Sequence, residues 1–145
     1  MRGAFRAPAA FPRMTPRLLL VALIGIAPAL ADERITFNEH IRPILADNCF
    51  ACHGVDAAHR KAKLRLDIAD GATAVREEGV RAITPGDLAK SELWQRIISP
   101  HEDEVMPPPE SHKTPLKPAQ RELIKQWIEQ GATYQNHWAY EPVSR

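Results

Sequence analysis

The residues with the clearest chemistry are two thiols and an imidazole within five positions, the segment Cys49-Phe-Ala-Cys52-His53. Cys-x-x-Cys-His is the sequence to which a haem is attached as haem c. Two intervening residues let both sulfurs reach the vinyl groups on one porphyrin edge, and the adjacent imidazole is a good iron ligand. The motif predicts one covalent haem c, with thioether bonds to Cys49 and Cys52 and with His53 as the proximal iron ligand.

Two other chemistries also use a Cys-x-x-Cys pair. A redox dithiol of this type is found in a βαβ context, and strand signals are nearly absent from this sequence. A closed zinc site needs four ligands, usually with a second Cys or His pair. The chain has two cysteines in total, and its other histidines are scattered singly, at His40, His59, His101, His112 and His137. Haem is therefore favoured, with a non-haem dithiol or zinc module as the less favoured alternative.

The sixth iron ligand is predicted to be Met106, which lies in the segment Val105-Met-Pro-Pro-Pro109. Consecutive prolines exclude helix and hold the segment extended. A methionine sulfur opposite histidine raises the reduction potential of the iron. A core role is the ordinary role of a methionine, but a position between an acidic turn and three prolines suits a core residue poorly. His101 or His112 in its place would give a bis-histidine site of lower potential.

The first 31 residues read as an export signal. A basic stretch ends at Arg17, an apolar run follows, and Ala29-Leu-Ala31 supplies a small-x-small cleavage site before Asp32. The apolar stretch from Leu18 to Leu30 has 13 residues, whereas a membrane span needs about 20. No Arg-Arg pair is present, which favours Sec-type export of an unfolded chain. We expect cleavage after Ala31, a periplasmic or other extracytoplasmic location, and no stable membrane insertion after cleavage, with either Met1 or Met14 as the true start.

Charge gives no sign of a nucleic-acid partner. The predicted signal holds four arginines and no acidic residue, so the remainder of the chain has more acidic than basic groups. Nucleic-acid binding would call for a clustered basic face. A short basic run (Arg60, Lys61, Lys63 and Arg65) could pair with haem propionates, although a solvated surface run is the more ordinary interpretation.

The hydrophobic pattern predicts a first helix that begins near Thr36 and ends at Asn48. Thr36 and Glu39 fit a capping box, and Pro43 predicts a kink or a late start near Asn38. The apolar stripe consists of Phe37, Ile41, Ile44 and Leu45.

Two more helices are predicted after a long loop. Residues 54–86 have no strong periodicity and are expected to form loop with one short helical turn. Ser91 is the predicted N-cap of a helix that buries Trp94, Ile97 and Ile98 and that Pro100 ends.

Pro118 and Gly131 mark the beginning and end of the last helix, whose apolar stripe is Leu123, Ile124, Trp127 and Ile128. The fold class is therefore all-α. The long loop offers few large apolar side chains, and ordering each residue costs about 1–2 kcal/mol of backbone entropy. We therefore expect a small fold of three to five short helices that needs a haem to complete its core.

An ordered set of motifs resembles the planctomycete-type cytochrome c domain (PSCyt1) over about residues 36–141. The set comprises Phe37-Asn-Glu-His-Ile-Arg-Pro-Ile-Leu45, Asn48-Cys-Phe-Ala-Cys-His-Gly54, Leu64-Arg-Leu-Asp67, Pro85-Gly-Asp87, Ser91-Glu-Leu93, Met106-Pro-Pro108, Trp127-Ile128, Gly131-Ala132 and His137-Trp-Ala139. The resemblance implies a class I-like cytochrome c fold around one haem, with the ligand roles given above for Cys49, Cys52, His53 and Met106. Lys117 departs from the family, where a threonine commonly caps the last helix.

The resemblance also implies the organisation of the chain. We expect a mono-haem cytochrome c domain at residues 32–141 and a C-terminal tail at residues 142–145. In relatives this domain precedes two large domains of unsettled function (DUF1549 and DUF1553), so the tail is either the start of such missing domains or the end of a free-standing carrier. The expected function is electron transfer to an unidentified redox partner protein, with no substrate site. A haem sensor or a peroxide-reactive enzyme module of a larger truncated protein is the alternative.

Overall fold

The computed structural model describes residues 34–136, and the structural statements that follow concern this range. The predicted signal peptide at residues 1–31, the motif at residues 137–139 and the tail at residues 142–145 lie outside the described residues.

The first helical segment changes geometry once. A π-helical segment, Phe37–Ile41, leads directly into α1, Arg42–Asn48. Pro43 lies in the first turn of α1, where its missing N–H is not needed. The helical geometry therefore changes from π to α just before this proline, and the predicted end at Asn48 is confirmed.

The predicted capping box at Thr36 is wrong. The Thr36 side chain makes no capping bond to the start of the helix. Instead, the Thr36 backbone N–H donates to Nδ1 of His40 at 3.1 Å, and the Thr36 hydroxyl lies 3.0 Å from the same nitrogen. Glu39 is exposed. The His40 imidazole therefore accepts the Thr36 N–H that the sequence pattern assigned to the Glu39 carboxylate.

The middle of the chain is mostly loop, as predicted, with slightly more helix. It contains α2, Phe50–His53, then α3, Ala69–Thr73, and a short 3₁₀ turn, Glu77–Gly79. Backbone hydrogen bonds tie the loop together: Leu66 N–H donates to the His53 carbonyl at 2.8 Å, and Ile83 N–H donates to the Ala72 carbonyl at 2.9 Å. The buried apolar residues of this region, Leu66, Ala72, Ala82 and Ile83, join the core.

Helix α4, Glu92–Ile98, begins after Ser91 as predicted but buries a different face. Leu93 and Ile97 are buried, whereas Ile98 is 41% exposed and Trp94 is half-buried. The prediction of Ile98 as a core residue was wrong because the face that packs into the core is the one shared by Leu93 and Ile97, which are one turn apart.

Helix α5, Pro118–Glu129, has the predicted bounds. Its first turn is supported by Gln120, whose side-chain oxygen accepts the backbone N–H of Lys117 at 2.9 Å. Gly131 follows the helix with a φ of +97°, a conformation that favours glycine. The helix buries Ile124, Trp127 and Ile128.

The two ends of the described chain pack together through aromatic rings. The ring centroids of Phe37 and Trp127 are 5.6 Å apart, and Tyr134 lies 4.3 Å from Phe37 and 5.2 Å from Trp127. Such tilted and edge-on pairs are favourable beyond the area they bury. The π-helical segment therefore packs against α5.

Within residues 34–136 the structure has five α-helices and no strand, only isolated β-bridges that join Arg81 to Val75 and to Ser91. The predicted all-α class is confirmed for this range. No helix in the described part of the chain is long and apolar enough to cross a membrane.

Candidate functional site

The Cys-x-x-Cys-His motif forms a single helical turn at the end of α1. Cys49 lies between α1 and α2, and its backbone N–H continues the first helix by donating to the Leu45 carbonyl at 2.8 Å. The Cys49 carbonyl then accepts the N–H groups of Cys52 at 3.1 Å and His53 at 2.8 Å. Residues three apart on a helix share a face, so the local fold places both sulfurs on one side.

The two thiols differ in burial. Cys49 is 9% exposed and Cys52 is half-buried, and both are free thiols. Burial, followed by the proximity of Cys52, raises the pKa of Cys49 to about 12, against the opposing effect of Lys113. Since a thiolate is the reactive form of cysteine, a buried thiol with this pKa is poorly suited to dithiol redox chemistry in the folded protein.

His53 is half-buried, and its Nδ1 atom is buried without a hydrogen-bond partner. Burial lowers the pKa of His53; the backbone of Lys61 opposes this shift, and the charge of Arg76 adds to it. Neutral imidazole is the form that binds metals. Metal ligation through one nitrogen of this ring would leave a single N–H to be satisfied by a hydrogen bond.

A cavity of about 380 Å³ lies against the motif, within the roughly 300–1,000 Å³ range of ligand sites. Cys49, Cys52, His53 and Met106 all line it. The structure therefore brings together the four residues that the sequence predicted for haem attachment and iron ligation. Most of the remaining wall is apolar and includes Ala51, Leu64, Leu66, Ala82, Leu93, Pro107 and Pro108.

Met106 reaches the cavity on a segment that is fixed to α4. Its backbone N–H donates to the Arg96 carbonyl at 3.1 Å, and Val105 N–H donates to the His101 carbonyl at 2.9 Å. The chain is extended at Pro108 and turns at Pro109–Ser111. His101 and His112, the alternative sixth ligands, are both exposed, and neither is among the residues that line the cavity.

Four charged side chains on the cavity wall were missed by the sequence reasoning: Arg76, Glu92, Arg96 and Lys113. Glu92 and Arg96 are four residues apart, a spacing that favours a helical ion pair, and this was the one local signal available. Arg76 and Lys113 are brought to the cavity by tertiary folding.

The two arginines of the basic run at residues 60–65 make their side-chain contacts away from the cavity. The Arg60 side chain donates to the carbonyls of Gly54 at 2.8 Å and Val55 at 2.7 Å, and Arg65 pairs with Asp67. None of the basic side chains of this run lines the cavity described above.

The donor set suits haem c better than the alternatives. A closed zinc site needs four ligands, and among residues 34–136 no group of three or more His, Cys, Asp or Glu side chains is placed to hold a metal ion. Two thiols, an unpaired imidazole and a thioether around an apolar cavity fit a flat hydrophobic ring with one iron. The residues present therefore fit the group that the motif implies.

Comparison with known proteins agrees with this chemistry. Residues 49–110 match the family described as Planctomycete cytochrome C (PSCyt1), a range that includes both cysteines, His53 and Met106. No curated protein and no solved structure matches the chain. The match confirms the resemblance inferred from the sequence over residues 49–110, where the chain is similar to this family.

Proposed function

We propose that this chain is a mono-haem c-type cytochrome domain that transfers electrons outside the cytoplasm through a His/Met-ligated iron. The observation that carries the proposal is that Cys49, Cys52, His53 and Met106, from two separate segments, line one apolar cavity. The family match over residues 49–110 supports the haem c assignment.

Each residue has one role in this proposal. Cys49 and Cys52 hold the ring through thioether bonds, His53 supplies a neutral imidazole to the iron, and Met106 supplies the second axial ligand. When bound, haem c supplies one-electron chemistry between ferrous and ferric iron. The apolar wall around these residues limits access of water, which together with the axial ligands sets the reduction potential.

The fold beyond the site supports a class I-like arrangement. The first helical segment contacts the last helix through Phe37 and Trp127, while the intervening loop packs Leu66 and Ile83 into the same core. A fold that wraps a haem requires its first and last helices to contact each other and the loop between them to pack against both.

The location is proposed from the N-terminal sequence and from the site. The segment at residues 1–31 has the pattern of a cleaved Sec-type signal, and cytochrome c domains are usually extracytoplasmic. An unidentified redox protein would be the partner, because a module with both axial positions filled has no substrate site at its metal.

The proposal is tested by producing the full chain in bacteria that carry a haem-attachment system. We expect the exported protein to be coloured, to stain for haem after denaturing electrophoresis, and to have an intact mass equal to the cleaved polypeptide plus one haem. A Cys49→Ala/Cys52→Ala variant is the matched control and is expected to lose the stain. Colourless wild-type protein with the mass of bare polypeptide would reject the proposal.

A further inference from the structure

The wall of the cavity carries an unbalanced charge. Apart from the ionisable groups of the Cys-x-x-Cys-His motif, its charged side chains are the three cations Arg76, Arg96 and Lys113 and the single anion Glu92. The excess is two positive charges beside an otherwise mostly apolar surface. Arg76, Glu92 and Arg96 are half-buried and Lys113 is exposed, so the excess positive charge attracts an anionic group to this part of the cavity wall.

Glu92 forms ion pairs with both guanidinium groups. Its Oε1 accepts a hydrogen bond from Arg96 Nε at 3.0 Å and lies 3.0 Å from Arg96 Nη2. Its Oε2 lies 3.8 Å from Arg76 Nη1. One carboxylate thus bridges two arginines, from α4 and from the loop before it.

Backbone carbonyls fix the same two arginines. Arg76 Nη2 donates to the Ala62 carbonyl at 3.0 Å, and Arg96 Nη1 donates to the Glu104 carbonyl at 3.3 Å. A guanidinium has five N–H donors, and these contacts do not use all of them on either side chain. Both groups are therefore positioned and still able to bind a further acceptor.

A ligand that balances this wall must carry two negative charges next to a large apolar body. Haem has this composition, because its two propionate groups are carboxylates on an otherwise hydrophobic ring. Arginine binds carboxylates bidentately through charge-assisted hydrogen bonds. Arg60 and Arg65 make their side-chain contacts elsewhere, and neither lines the cavity.

We propose, on the basis of the haem c function argued above, that Arg76, Arg96 and Lys113 bind the two haem propionates and that the negative charge of Glu92 partly offsets these cations. Arg96 lies on α4, Arg76 lies in the loop before it, and Lys113 follows the turn at Pro109–Ser111. The titratable groups that face the propionates are His53 and the four charged residues of the wall.

The test is a titration of the reduction potential against pH in the haem-loaded full chain. An ionised propionate stabilises ferric iron, so the potential falls as the pH rises through the propionate pKa. A cation close to a carboxylate lowers its pKa by about 1–3 units. Arg76→Gln is therefore expected to raise the propionate pKa, and with it the pH at which the reduction potential falls, by about one unit, a tenfold change in the acid dissociation constant. Arg96→Gln is expected to do the same.

Glu92 gives the opposite sign. Removing its negative charge strengthens the field of the remaining cations, which lowers the propionate pKa. Introducing Glu92→Gln into the Arg76→Gln protein is therefore expected to shift the fall in reduction potential back to lower pH. A purely structural role for these residues would not produce shifts of opposite direction. Arg65→Gln, which breaks a comparable ion pair away from the cavity, is the matched control. It is expected to leave the pH midpoint of the fall in reduction potential unchanged.

The outcomes separate the two proposals. The assignment of the propionate site alone would be overturned by either of two results in protein with covalent haem. The pH midpoint of the fall in reduction potential would be unchanged in Arg76→Gln and Arg96→Gln, or Glu92→Gln would shift it in the same direction as they do. Protein without covalent haem would overturn the proposed function and this inference together.

Discussion

At the scale of single residues, Met106 owes its position to main-chain contacts more than to its own side chain. The hydrogen bond from Met106 N–H to the Arg96 carbonyl joins its segment to the end of α4, and the Arg96 side chain reaches the Glu104 carbonyl on the same segment. Pro107 and Pro108 restrict the backbone immediately afterwards. A sulfur held in this way loses little conformational entropy on binding iron.

Replacing Met106 tests its role directly. We expect Met106→Ala to keep its covalent haem but to lower the reduction potential by on the order of 0.1 V, because the choice of axial ligands changes the reduction potential of haem over a range of about 0.8 V. The far-red absorption that arises from sulfur-to-ferric-iron charge transfer should disappear. Spectroelectrochemical titration of the purified protein measures both quantities.

Leu64 provides the control for this experiment. It lines the same cavity and is half-buried, so Leu64→Ala removes apolar contact without removing a candidate ligand. Its far-red absorption is expected to remain. An unchanged potential in Met106→Ala, or a far-red band that persists there, would contradict ligation by Met106.

Some residues of the site could be predicted from the sequence and others could not. Cys49, Cys52 and His53 are fixed by a short local spacing, and Met106 is marked by the prolines after it. Arg76 and Lys113 are separated from the motif by long loops, so no periodicity connects them to it. The charged wall is a product of tertiary folding, which explains why the adjacent basic run at residues 60–65 was the only candidate visible in the sequence.

At the scale of elements, Ser91 joins α4 to the loop before it. The side chain is fully buried. Its hydroxyl lies 3.1 Å from the Thr84 carbonyl and donates to the Asp87 carbonyl at 2.7 Å, and it accepts the Thr84 N–H at 2.9 Å. Ser91 therefore occupies the predicted N-cap position but uses its hydroxyl to hold the preceding turn rather than the helix end.

Ser91→Ala is expected to lower the free energy of unfolding by about 1–3 kcal/mol, because it leaves buried backbone groups without their partner. Chemical denaturation of the haem-loaded protein measures the loss. Ser99→Ala is the matched control, since the hydroxyl of Ser99 makes its contacts in an exposed setting. Equal effects of the two substitutions would show that the buried hydroxyl has no special role.

The bounds of the elements were more predictable than their buried faces. Pro118 and Gly131 act locally, through a missing N–H and a positive φ, and the bounds of α5 follow from them. The choice of Leu93 over Ile98 on α4 depends on what packs against the helix, and a single amphipathic pattern does not contain that information. The capping box at Thr36 failed for a related reason, because His40 competes for the same donor.

At the scale of the whole molecule, one core joins the two ends of the described chain to the loop between them. It contains Phe37, Ile41 and Leu45 from the first segment, Leu66 and Ile83 from the loop, and Trp127 and Ile128 from α5. The cavity lies beside this core. Filling the cavity with a covalently bound apolar group would add buried area that the chain alone does not provide.

Preventing haem attachment is therefore expected to destabilise the entire domain. A loss of about 2 kcal/mol lowers the Tm of a domain of roughly 100 residues by about 8–16 °C, and we expect at least this decrease for Cys49→Ala/Cys52→Ala. Thermal unfolding followed by circular dichroism measures it. Wild-type protein produced without the attachment system controls for the substitutions themselves, and a Tm equal to that of the haem-loaded form would contradict the prediction.

The hydrogen bond from the Tyr134 hydroxyl to the Leu66 carbonyl, at 3.0 Å, determines how much of the chain must be kept when the domain is fused to another protein. It links a residue well beyond the family match at residues 49–110 to the loop inside it, as does the bond from Gly86 N–H to the Ile128 carbonyl at 2.8 Å. A graft limited to the matched region would leave behind Phe37 and Trp127, which belong to the same hydrophobic core as Leu66 of that loop. The smallest portable cassette therefore includes both flanking helices, from the segment before α1 to the residues that follow α5.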